Sequence, residues 1–500
     1  MVRRMSSMIG TYYLGYSGMS VNQTALATIS HNLANVNTTG YSRQRVNTSE
    51  LVTSDSVVGS GTTVESVTRL RSSMLDQTYR TENADLSYYE AKDETLTAAE
   101  ELLGDFSTST SDDSAEATGV QLVMENFFDS WEELAKDLSS TSAQNTVLEA
   151  STSLVDLLSE LDSQLQQLQE ECADKVYESV DALNELATQV AKLNEQIRMA
   201  ETKGYTANDL EDQRDALVDE MSSLTDLTVN VQTDGTYEVL IGGVYLVRGT
   251  QTHTLVTAGD GSTSDPLTVT WAETGGDVEF SSGSILALLE DADQSAVQTI
   301  DESDLPYDFD PSSASSIGEL RQGLNALITT IAYSVNDLFS SGTPLDGTTA
   351  SGVLFFVNGD TDTEAGLSIG NIQINTALAA DSSLLAVSAT GEASDGGIAT
   401  SIAELASSEL LAADGLSKSG DDYYTAVVSW LATKRETTEG LLATQESMVN
   451  QTDTDRLSVF SVSMEEELTK MVAYQSAYSA SAKYLSLVDG LVSDIISLIK

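Results

Sequence analysis

The acidic run at 358–364 has the residue types of a calcium-binding loop. From Asp360 onward its carboxylates stand at alternate positions, where their oxygens could coordinate a hard cation. A calcium loop beginning there would also need a glycine at its sixth position and a glutamate at its twelfth. Ala365 and Asn371 occupy those positions. The pattern therefore favours a solvated turn over a metal site.

Cysteine and histidine, which supply many nucleophiles and metal ligands, are scarce in this chain. Cys172 is the one cysteine, so neither an intrachain disulfide nor a cysteine-based zinc site can form. It falls within a helical pattern, and we predict a small, buried helix residue. His31 and His253 are far apart in the sequence, and His31 is predicted to be a polar packing residue of the first helix.

Other short motifs lack the partners that chemistry would require. The acidic pairs at 112–113 and 421–422 are predicted to be exposed loop or first-turn residues, because such pairs arise by chance in so acidic a chain. The glycines at 59 and 61 have neither the lysine of a phosphate loop nor the third glycine of a dinucleotide loop. No Gly-x-Ser-x-Gly or His-Glu-x-x-His sequence occurs. We therefore predict no catalytic residue, no metal and no cofactor.

The charge balance narrows the class of protein further. The 500 residues include 23 Lys and Arg against 78 Asp and Glu, which gives a formal charge of −55 at pH 7. Such a surface would repel nucleic acids and anionic membranes. We hypothesise that the charge is an adaptation to a salty environment, and a stability that did not rise at molar salt would contradict this. Only 4 prolines interrupt the chain, which permits long helices.

The first residues contain no recognisable cleaved signal. After Arg3 and Arg4, serine, threonine and glycine residues break up the apolar run that such a signal needs. Met5 is an alternative start of translation. The most apolar window, 485–499, contains two aspartates, so no membrane-spanning helix is predicted. If the protein leaves the cell, we expect a route that needs no cleaved signal.

Both ends of the chain have the period of amphipathic helices. In the first segment, apolar and aromatic residues recur every three or four positions from Ile9 to Val36, and a cluster of turn formers at 35–40 ends the pattern. In the last segment, two adjacent apolar stripes run along one helix. A single partner helix would cover only one of these stripes, so we expect the last helix to lie among several neighbours.

The middle of the chain mixes helical and strand-like patterns. Residues 74–225 are largely helical in period, with a polar break at 107–118. At 226–282 the period changes to two, which predicts strands joined by turns, and a second irregular stretch with short strands covers 341–399. Helical spacing returns at 285–289, at 317–339 and at 402–448.

The predicted fold is mainly α with inserted β. The N- and C-terminal helices pair as a coiled-coil-like rod, a long helical bundle follows, and β-rich segments are inserted in the middle. The predicted domains are a terminal coiled-coil domain (5–40 with 461–500), a mainly helical domain (41–225 with 283–340 and 400–460) and two inserted segments (226–282 and 341–399).

Several segments carry the motifs of a known family. The run at 17–44 ends in Gly40-Tyr-Ser-Arg-Gln44 and resembles the flagellar axial proteins, in particular the hook-associated protein 1 family. Near the C-terminus, 462–468 and 474–483 are similar to the closing motif of that family, and the interior blocks 127–135 and 208–215 resemble it too. The N-terminal positions that match the family motif are Asn32, Asn35, Gly40, Tyr41, Ser42, Arg43 and Gln44.

A few positions depart from the family pattern. Phe460 and Ser461 precede Val462, where the family usually has a glycine, and this leaves open how the chain enters the last helix. Two or three positions that are apolar in the family are polar or acidic here, such as Glu211 in the block at 208–215. Residues 1–4 extend beyond the usual start.

The resemblance implies a non-catalytic structural subunit of the bacterial flagellum, at the junction between hook and filament, that is needed for filament assembly. Such a protein would be secreted unfolded by the flagellar type III apparatus, and a chain without disulfides suits that passage. The implied partners are further copies of itself in a ring, the flagellar hook protein, the second hook-associated junction protein and a flagellar export chaperone. Neither nucleic acid nor membrane insertion is expected.

The apolar stripes of the end helices are predicted to form the core between subunits. On the N-terminal helix, the predicted packing residues are Ile9, Tyr12, Tyr16, Met19, Leu26, Ile29 and Leu33. On the C-terminal helix, which is by resemblance also the landing site of the chaperone, they are Leu468, Met471, Tyr474, Tyr478, Tyr484, Leu485, Val488, Leu491, Val492, Ile495 and Ile496.

Three alternatives remain open from the sequence. The chain could be another axial protein, of hook or distal-rod type. It could be an enzyme, since some related filament proteins carry inserted catalytic domains, although the insertions here hold one histidine and no motif. It could also be a secreted adhesin whose β-rich middle binds host surfaces.

Overall fold

The fold is taken from a computed structural model. It describes residues 2–51, 61–105, 119–262, 264–310, 317–345, 353–390, 392 and 394–499. Side chains are described at all of these positions except 2–9, 105, 304, 495–496 and 498–499. Long helices dominate these ranges, and the strands form small sheets. The predicted class, mainly α with inserted β, is confirmed.

The chain begins with α1 (Val2–Ala34), which ends where the turn formers begin. Asn35 closes this end by donating its amide to the His31 carbonyl oxygen (3.1 Å). The chain then turns at Gly40, whose φ of +77° glycine adopts without steric cost. β1 (Gln44–Glu50) and β2 (Thr62–Arg69) follow as an antiparallel ribbon. The sequence pattern did not predict this ribbon, because its short, largely polar strands lack a clear apolar alternation.

The next four helices are α2 (Ser73–Asp105), α3 (Val120–Lys136), α4 (Thr141–Thr202) and α5 (Asn208–Leu224). With 62 residues, α4 is about 93 Å long at 1.5 Å per residue. The Ser140 hydroxyl caps its start by accepting a hydrogen bond from the Ala143 amide. No proline interrupts it, so its apolar face continues along its whole length.

The strands predicted at 226–282 are present. β3 (Thr228–Val231), β4 (Tyr237–Ile241), β5 (Val244–Arg248) and β6 (Gln251–Thr252) form an antiparallel sheet in chain order, and β7 (Leu255–Ala258) pairs with β8 (Thr268–Trp271). α6 (Ser284–Ala292) follows. A 3₁₀ turn (Glu302–Asp304) and β9 (Asp308–Phe309) then lead to α7 (Ile317–Ser340), which is buried along most of its length.

Short elements fill the stretch before the last two helices. They are β10 (Phe356–Asn358), β11 (Ile372–Ile374), α8 (Thr376–Ala380), a 3₁₀ turn (Ser382–Leu384), α9 (Gly397–Glu404), a 3₁₀ turn (Leu405–Ser407), β12 (Leu411–Ala413) and β13 (Leu416–Lys418). β10 pairs with β11, and β12 pairs with β13 and, in parallel, with β9. The helices predicted from 402 to 448 are interrupted by the β12–β13 hairpin, which the sequence pattern did not indicate. Asp414 and Gly415 both have positive φ and turn the chain there.

The last two helices are α10 (Gly420–Phe460), which lies along α2, and α11 (Met464–Ile499), which packs antiparallel to α1. Gly15 lies against Leu485 and Gly18 against Ser481, so the two chain ends form the predicted coiled-coil-like pair. We call α1 and α11 the terminal pair. All the helices and strands between them, from β1 to α10, form the body.

The body contains two hydrophobic cores. The first joins α3, the first half of α4, α7, the short elements at 353–402 and the start of α10. The second joins the rest of α4 with α5, α6 and the sheets of β3–β8, and includes Cys172, which is buried as predicted. Among the helices in the described ranges, none combines the length and the apolar character that crossing a membrane would require.

Candidate assembly surface and polar joint

The seam of the terminal pair follows a coiled-coil period on α11. The large side chains that are buried or half-buried there are Met471, Tyr474, Tyr478, Leu485, Val488 and Val492. With Ser481 included, their spacing alternates between three and four residues. Successive members come alternately from the two predicted stripes. The seam therefore runs between the stripes, and each stripe contributes half of it.

α1 meets this seam with small residues. A Cβ added to Gly15 would lie 2.9 Å from Leu485 Cγ, so only glycine allows this approach. In the predicted α1 stripe, Ile29 is buried, Met19, Leu26 and Leu33 are half-buried, and Tyr12 and Tyr16 are exposed. The predicted stripe lies beside the seam because glycine and alanine, which let two helices approach, carry little hydrophobic signal.

Large hydrophobic side chains remain exposed on both sides of the seam. They are Tyr12, Tyr13 and Tyr16 on α1, and Met464, Leu468, Val472, Tyr484, Leu487 and Leu491 on α11. We call these nine residues the apolar flanks; their exposed fractions run from 37% at Tyr484 to 63% at Leu487. Tyr13, Met464, Val472 and Leu487 are additions to the predicted set of packing residues. The side chains of the predicted residues Ile9, Ile495 and Ile496 lie outside the described ones.

The motif residue Asn32 ties α1 to two other segments. Its buried amide donates to the Gln44 backbone oxygen and to Glu467 Oε2, both at 3.0 Å. Its Oδ1 accepts from the Tyr41 hydroxyl (2.8 Å) and from the Gln44 backbone N–H (2.9 Å). Burial and the nearby Asp209 raise the pKa of Tyr41, which keeps its hydroxyl a donor. Asn32 thereby joins α1 to the starts of β1 and α11.

The neighbouring motif residues 42–44 bind α5 and α11 in the same region. The Ser42 backbone N–H, the Arg43 guanidinium and the Gln44 amide bind carboxylates of Asp212, Glu466 and Asp209 at 2.9, 2.9 and 2.8 Å, respectively. His31 Nε2 also lies 3.1 Å from Asp209 Oδ1, which agrees with a polar packing role. The motif thus connects α1, α5 and α11.

A cluster of buried ion pairs lies beside this motif. Asp215, only 1% exposed, contacts Arg69 (2.8 Å), Arg71 (3.3 Å) and Arg80 (3.3 Å). Arg456 of α10 reaches Asp219 at 2.6 Å and Asp76 at 3.2 Å, and Arg69 also reaches Asp212 at 2.7 Å. We call this cluster the polar joint: Arg69, Arg71, Arg80 and Arg456 with Asp76, Asp212, Asp215 and Asp219.

Charge balance keeps the Asp215 carboxyl ionised. Burial alone would raise the pKa of the Asp215 carboxyl, but Arg71, Arg69 and Arg80 outweigh burial and hold that pKa well below its usual range. Sequence reasoning missed these arginines. A signal was available, since basic residues are rare in this chain and three arginines fall within 69–80. The joint holds β2, α2, α5 and α10 in one arrangement just where the terminal pair leaves the body.

The other predicted positions take structural places. The acidic run at 358–364 forms a turn, in which the Asp360 backbone N–H donates to Asn358 Oδ1 (2.9 Å). Asp421 and Asp422 lie in the first turn of α10, as predicted, whereas the pair at 112–113 lies outside the described residues. Across the described ranges, no three His, Cys, Asp or Glu side chains are grouped so as to hold a metal ion.

Two protein families and several named relatives match this chain. Residues 107–356 match the model of the helical domain of the flagellar hook-associated protein FlgK, and residues 13–41 match that of the flagella basal body rod protein. Flagellar hook-associated protein 1 of Bacillus subtilis is 26% identical over 509 residues and covers 96% of each chain. Its namesake in Escherichia coli is 29% identical over 283 residues, covering 55% of this chain and 49% of its own.

A solved structure agrees with the fold. The flagellar hook junction protein FlgK from Burkholderia pseudomallei matches with a TM-score of 0.58 at 16% identity, over 77% of this chain and 100% of its own. At that identity the likeness speaks for the fold alone, but the FlgK helical-domain match spans half of the chain. The chain therefore belongs to the FlgK family of flagellar hook-associated proteins, the non-enzymatic structural components of the junction between flagellar hook and filament.

Proposed function

We propose that this chain assembles as a ring at the tip of the hook, with neighbouring terminal pairs packed side by side as its core. The observation that carries the proposal is the set of nine exposed side chains in the apolar flanks. Burying apolar surface between copies would contribute about 25 cal/mol per Å². A free subunit leaves that contribution unused, since its own α1 covers only the seam.

The predicted packing residues then divide into two roles. Seam residues such as Leu485 and Val488 hold the two ends of one chain together. Flank residues such as Tyr12, Leu468 and Leu491 contact neighbouring subunits. The assembly domain would comprise 5–40 with 461–500, while the helical domain and the β-rich insertions would project away from it.

The proposed partners follow from the place of such a ring. The hook protein lies on one side of it and the second hook-associated junction protein on the other, and the apolar flanks are the surfaces available to both. Before export, α11 would be separated from α1 and would expose its seam as well as its flanks. A flagellar export chaperone that covers α11 would keep this surface from aggregating.

A complementation experiment tests the flanks directly. The strain lacking this chain receives either the wild-type chain, the double variant Leu487→Asp with Leu491→Asp, or the control Leu416→Asp. Leu416 is matched in exposure, at 61% against 63% for Leu487, but lies in the body. We expect the control to restore motility. We expect the double variant to leave cells with hooks, without filaments, and with unpolymerised flagellin in the medium.

Two results would overturn the proposal. Normal filaments with the double variant would show that the flanks are not subunit contacts. A deletion strain that lacks hooks altogether would move the protein to an earlier stage of assembly.

A further inference from the structure

A cavity of about 610 Å³ opens beside the polar joint, between the start of α2 and the β3–β4 hairpin. Four arginines and three carboxylates line it, which makes it rich in cations for a chain with a formal charge of −55. Its rim carries two exposed apolar side chains, Met74 and Val231, at 72% and 61% exposure. An arginine-rich floor with an apolar rim suits a segment that is both acidic and apolar.

One arginine of this floor has no carboxylate partner. Arg214 is 1% exposed, and its Nη1 donates to Asn194 Oδ1 (2.9 Å) and to the Gly235 carbonyl oxygen (2.7 Å). Its guanidinium stacks 3.4 Å from the centre of the Tyr237 ring. Its Nε has no hydrogen-bond partner, and within the described part of the chain no carboxylate oxygen comes within 4 Å of it. Asp215 and Glu211 act on this cation only from a greater distance, so a carboxylate that entered the cavity would give it a direct ion-pair partner.

The start of α11 has the complementary character. Met464, Glu465 and Leu468 are all exposed on its first turns, and the Glu465 side chain makes no ion pair with any described residue. We call these three residues the acidic edge. The edge cannot fold back into the cavity of its own chain, because Glu466 is bound to Arg43 and Glu467 to Asn32.

The cavity and the acidic edge lie at the same level of the molecule. Arg71 lines the cavity, and its guanidinium also lies 5.1 Å from the ring of Phe460, four residues before Met464. Subunits of a ring stand side by side, so surfaces at one level of neighbouring copies can meet. A ring also needs a contact between two different patches, repeated from copy to copy.

We propose that the acidic edge of one copy docks into this cavity of the next copy, with Glu465 toward the arginine floor and Met464 and Leu468 against the rim. This inference rests on the proposed ring and adds to it a second contact, made by the body. The contact is heterologous, so its repetition fixes the order and direction of the subunits around the ring.

Disulfide crosslinking in assembled flagella tests the contact. Cells lacking the native chain express Met74→Cys together with Leu468→Cys, and isolated hook–junction complexes are oxidised and separated without reductant. Cys172 should not interfere, since it is buried and burial raises its pKa to about 11. We expect dimers and a ladder of higher multimers from the double variant. Neither single variant should give them, nor should the control pair Leu416→Cys with Leu468→Cys.

A second variant tests whether the charge of Glu465 contributes to the contact. Glu465→Lys in the double-cysteine background is expected to lower the yield of multimers several-fold, because it replaces an attraction to the arginine floor with a repulsion. An unchanged yield would overturn the role of Glu465. If the double variant does not assemble, a photoactivatable residue at Met74 in the otherwise native chain takes its place, and crosslinks should map to 464–468 of a second copy.

The outcomes distinguish this inference from the proposed ring. Motile cells with assembled junctions but no ladder, or photocrosslinks to the hook protein or elsewhere on a second copy, would overturn the contact and leave the ring intact. Failure of the wild-type chain itself to restore motility would overturn the proposed function.

Discussion

The terminal pair and the first core of the body differ in how many of their large hydrophobic side chains are exposed. In the terminal pair, nine large hydrophobic side chains are exposed. Among the described residues of the first core and the loops around it, from 119 to 171 and from 284 to 431, Leu416 is the one exposed large hydrophobic residue. The first core therefore buries its apolar residues within one chain, whereas the terminal pair leaves a large part of its own to be covered by other molecules.

The two regions also differ in what fixes their geometry. The first core is held by interlocked rings, such as Trp131 against Phe355 with centroids 5.4 Å apart. The terminal pair is tied to the adjoining segments by hydrogen bonds of Asn32 to Gln44 and by the contact of His31 with Asp209 of α5. The ion pairs of the polar joint hold the elements of the body beside this attachment. Such directional contacts specify one orientation of the terminal pair relative to the body. The apolar seam alone would allow α11 to shift along α1 by seven residues. Assembly needs this orientation, because flanks that point the wrong way cannot meet a neighbour.

The largest effect is expected from a charge in the seam. Leu485→Asp would place a carboxylate against Gly15 and should separate α11 from α1, which abolishes filament assembly and motility. The thermal unfolding of the body, followed by the fluorescence of its tryptophans, should not change. A lowered body melting temperature would contradict the independence of the two regions, and wild-type motility would contradict the need for the seam.

The opposite test is Phe127→Ala, which disrupts the first core of the body and leaves the terminal pair unchanged. Phe127 is fully buried and contacts Phe128 and Phe356, so the cavity should lower the free energy of unfolding of the body by about 3–5 kcal/mol. Protein that still folds should assemble normally, because no flank residue is touched. Urea unfolding of the purified chain measures the first effect and filament counts the second. A filament defect in fully folded protein would break the separation.

The sequence supported the fold class and the pairing of the chain ends, because both depend on long hydrophobic periods that a single segment reveals. It was less informative about which residues face each other. On α1, Gly15 and Gly18 lie directly against α11, and no hydrophobicity pattern marks such residues. The β1–β2 ribbon was missed for a similar reason: its strands are short and polar, and contacts with α1 support them.

The polar joint shows a different limit of sequence reasoning. Asp212 and Asp215 fall in a recognised motif block, yet their partners are Arg69 of β2, Arg71 just after it and Arg80 of α2. The separation between Asp219 and Arg456 is 237 residues. Pairings over such distances depend on the finished fold, and the composition of one segment cannot indicate them.

Removing the central charge of the joint should have an intermediate effect. Asp215→Asn leaves Arg69, Arg71 and Arg80 partly uncompensated in a buried place, and we expect a loss of about 3 kcal/mol. Hydrogen exchange should accelerate at the amides of Ser42 and Gln44, which bind Asp212 and Asn32. The control is Asp234→Asn, a surface aspartate that bonds only within its own turn. Equal exchange in both variants would mean that the joint does not hold the motif.

The smallest effect concerns pH, and it rests on two buried aspartates whose pKa values shift in opposite directions: Asp215 in the polar joint and Asp291 in the second core. The pKa of Asp215 is lowered by Arg71, Arg69 and Arg80, so its contribution to stability is complete above the ordinary aspartate pKa of about 3.9 and is lost as the pH falls toward the folded value. Asp291, in the second core, has the opposite shift: burial raises its pKa in spite of Lys92, so protonation at low pH relieves a cost.

Acidification should therefore loosen the joint before the second core. Between about pH 5 and pH 3, we expect hydrogen exchange at Leu70 to accelerate more than exchange in α6, where Asp291 lies, because the neighbours of Leu70, Arg69 and Arg71, bind Asp215. Asp215→Asn should flatten the response at the joint, and Asp291→Asn should leave that response unchanged. Parallel acceleration in both places would mean that acid unfolds the chain as one unit. The terminal pair would then have no separate electrostatic attachment to the body.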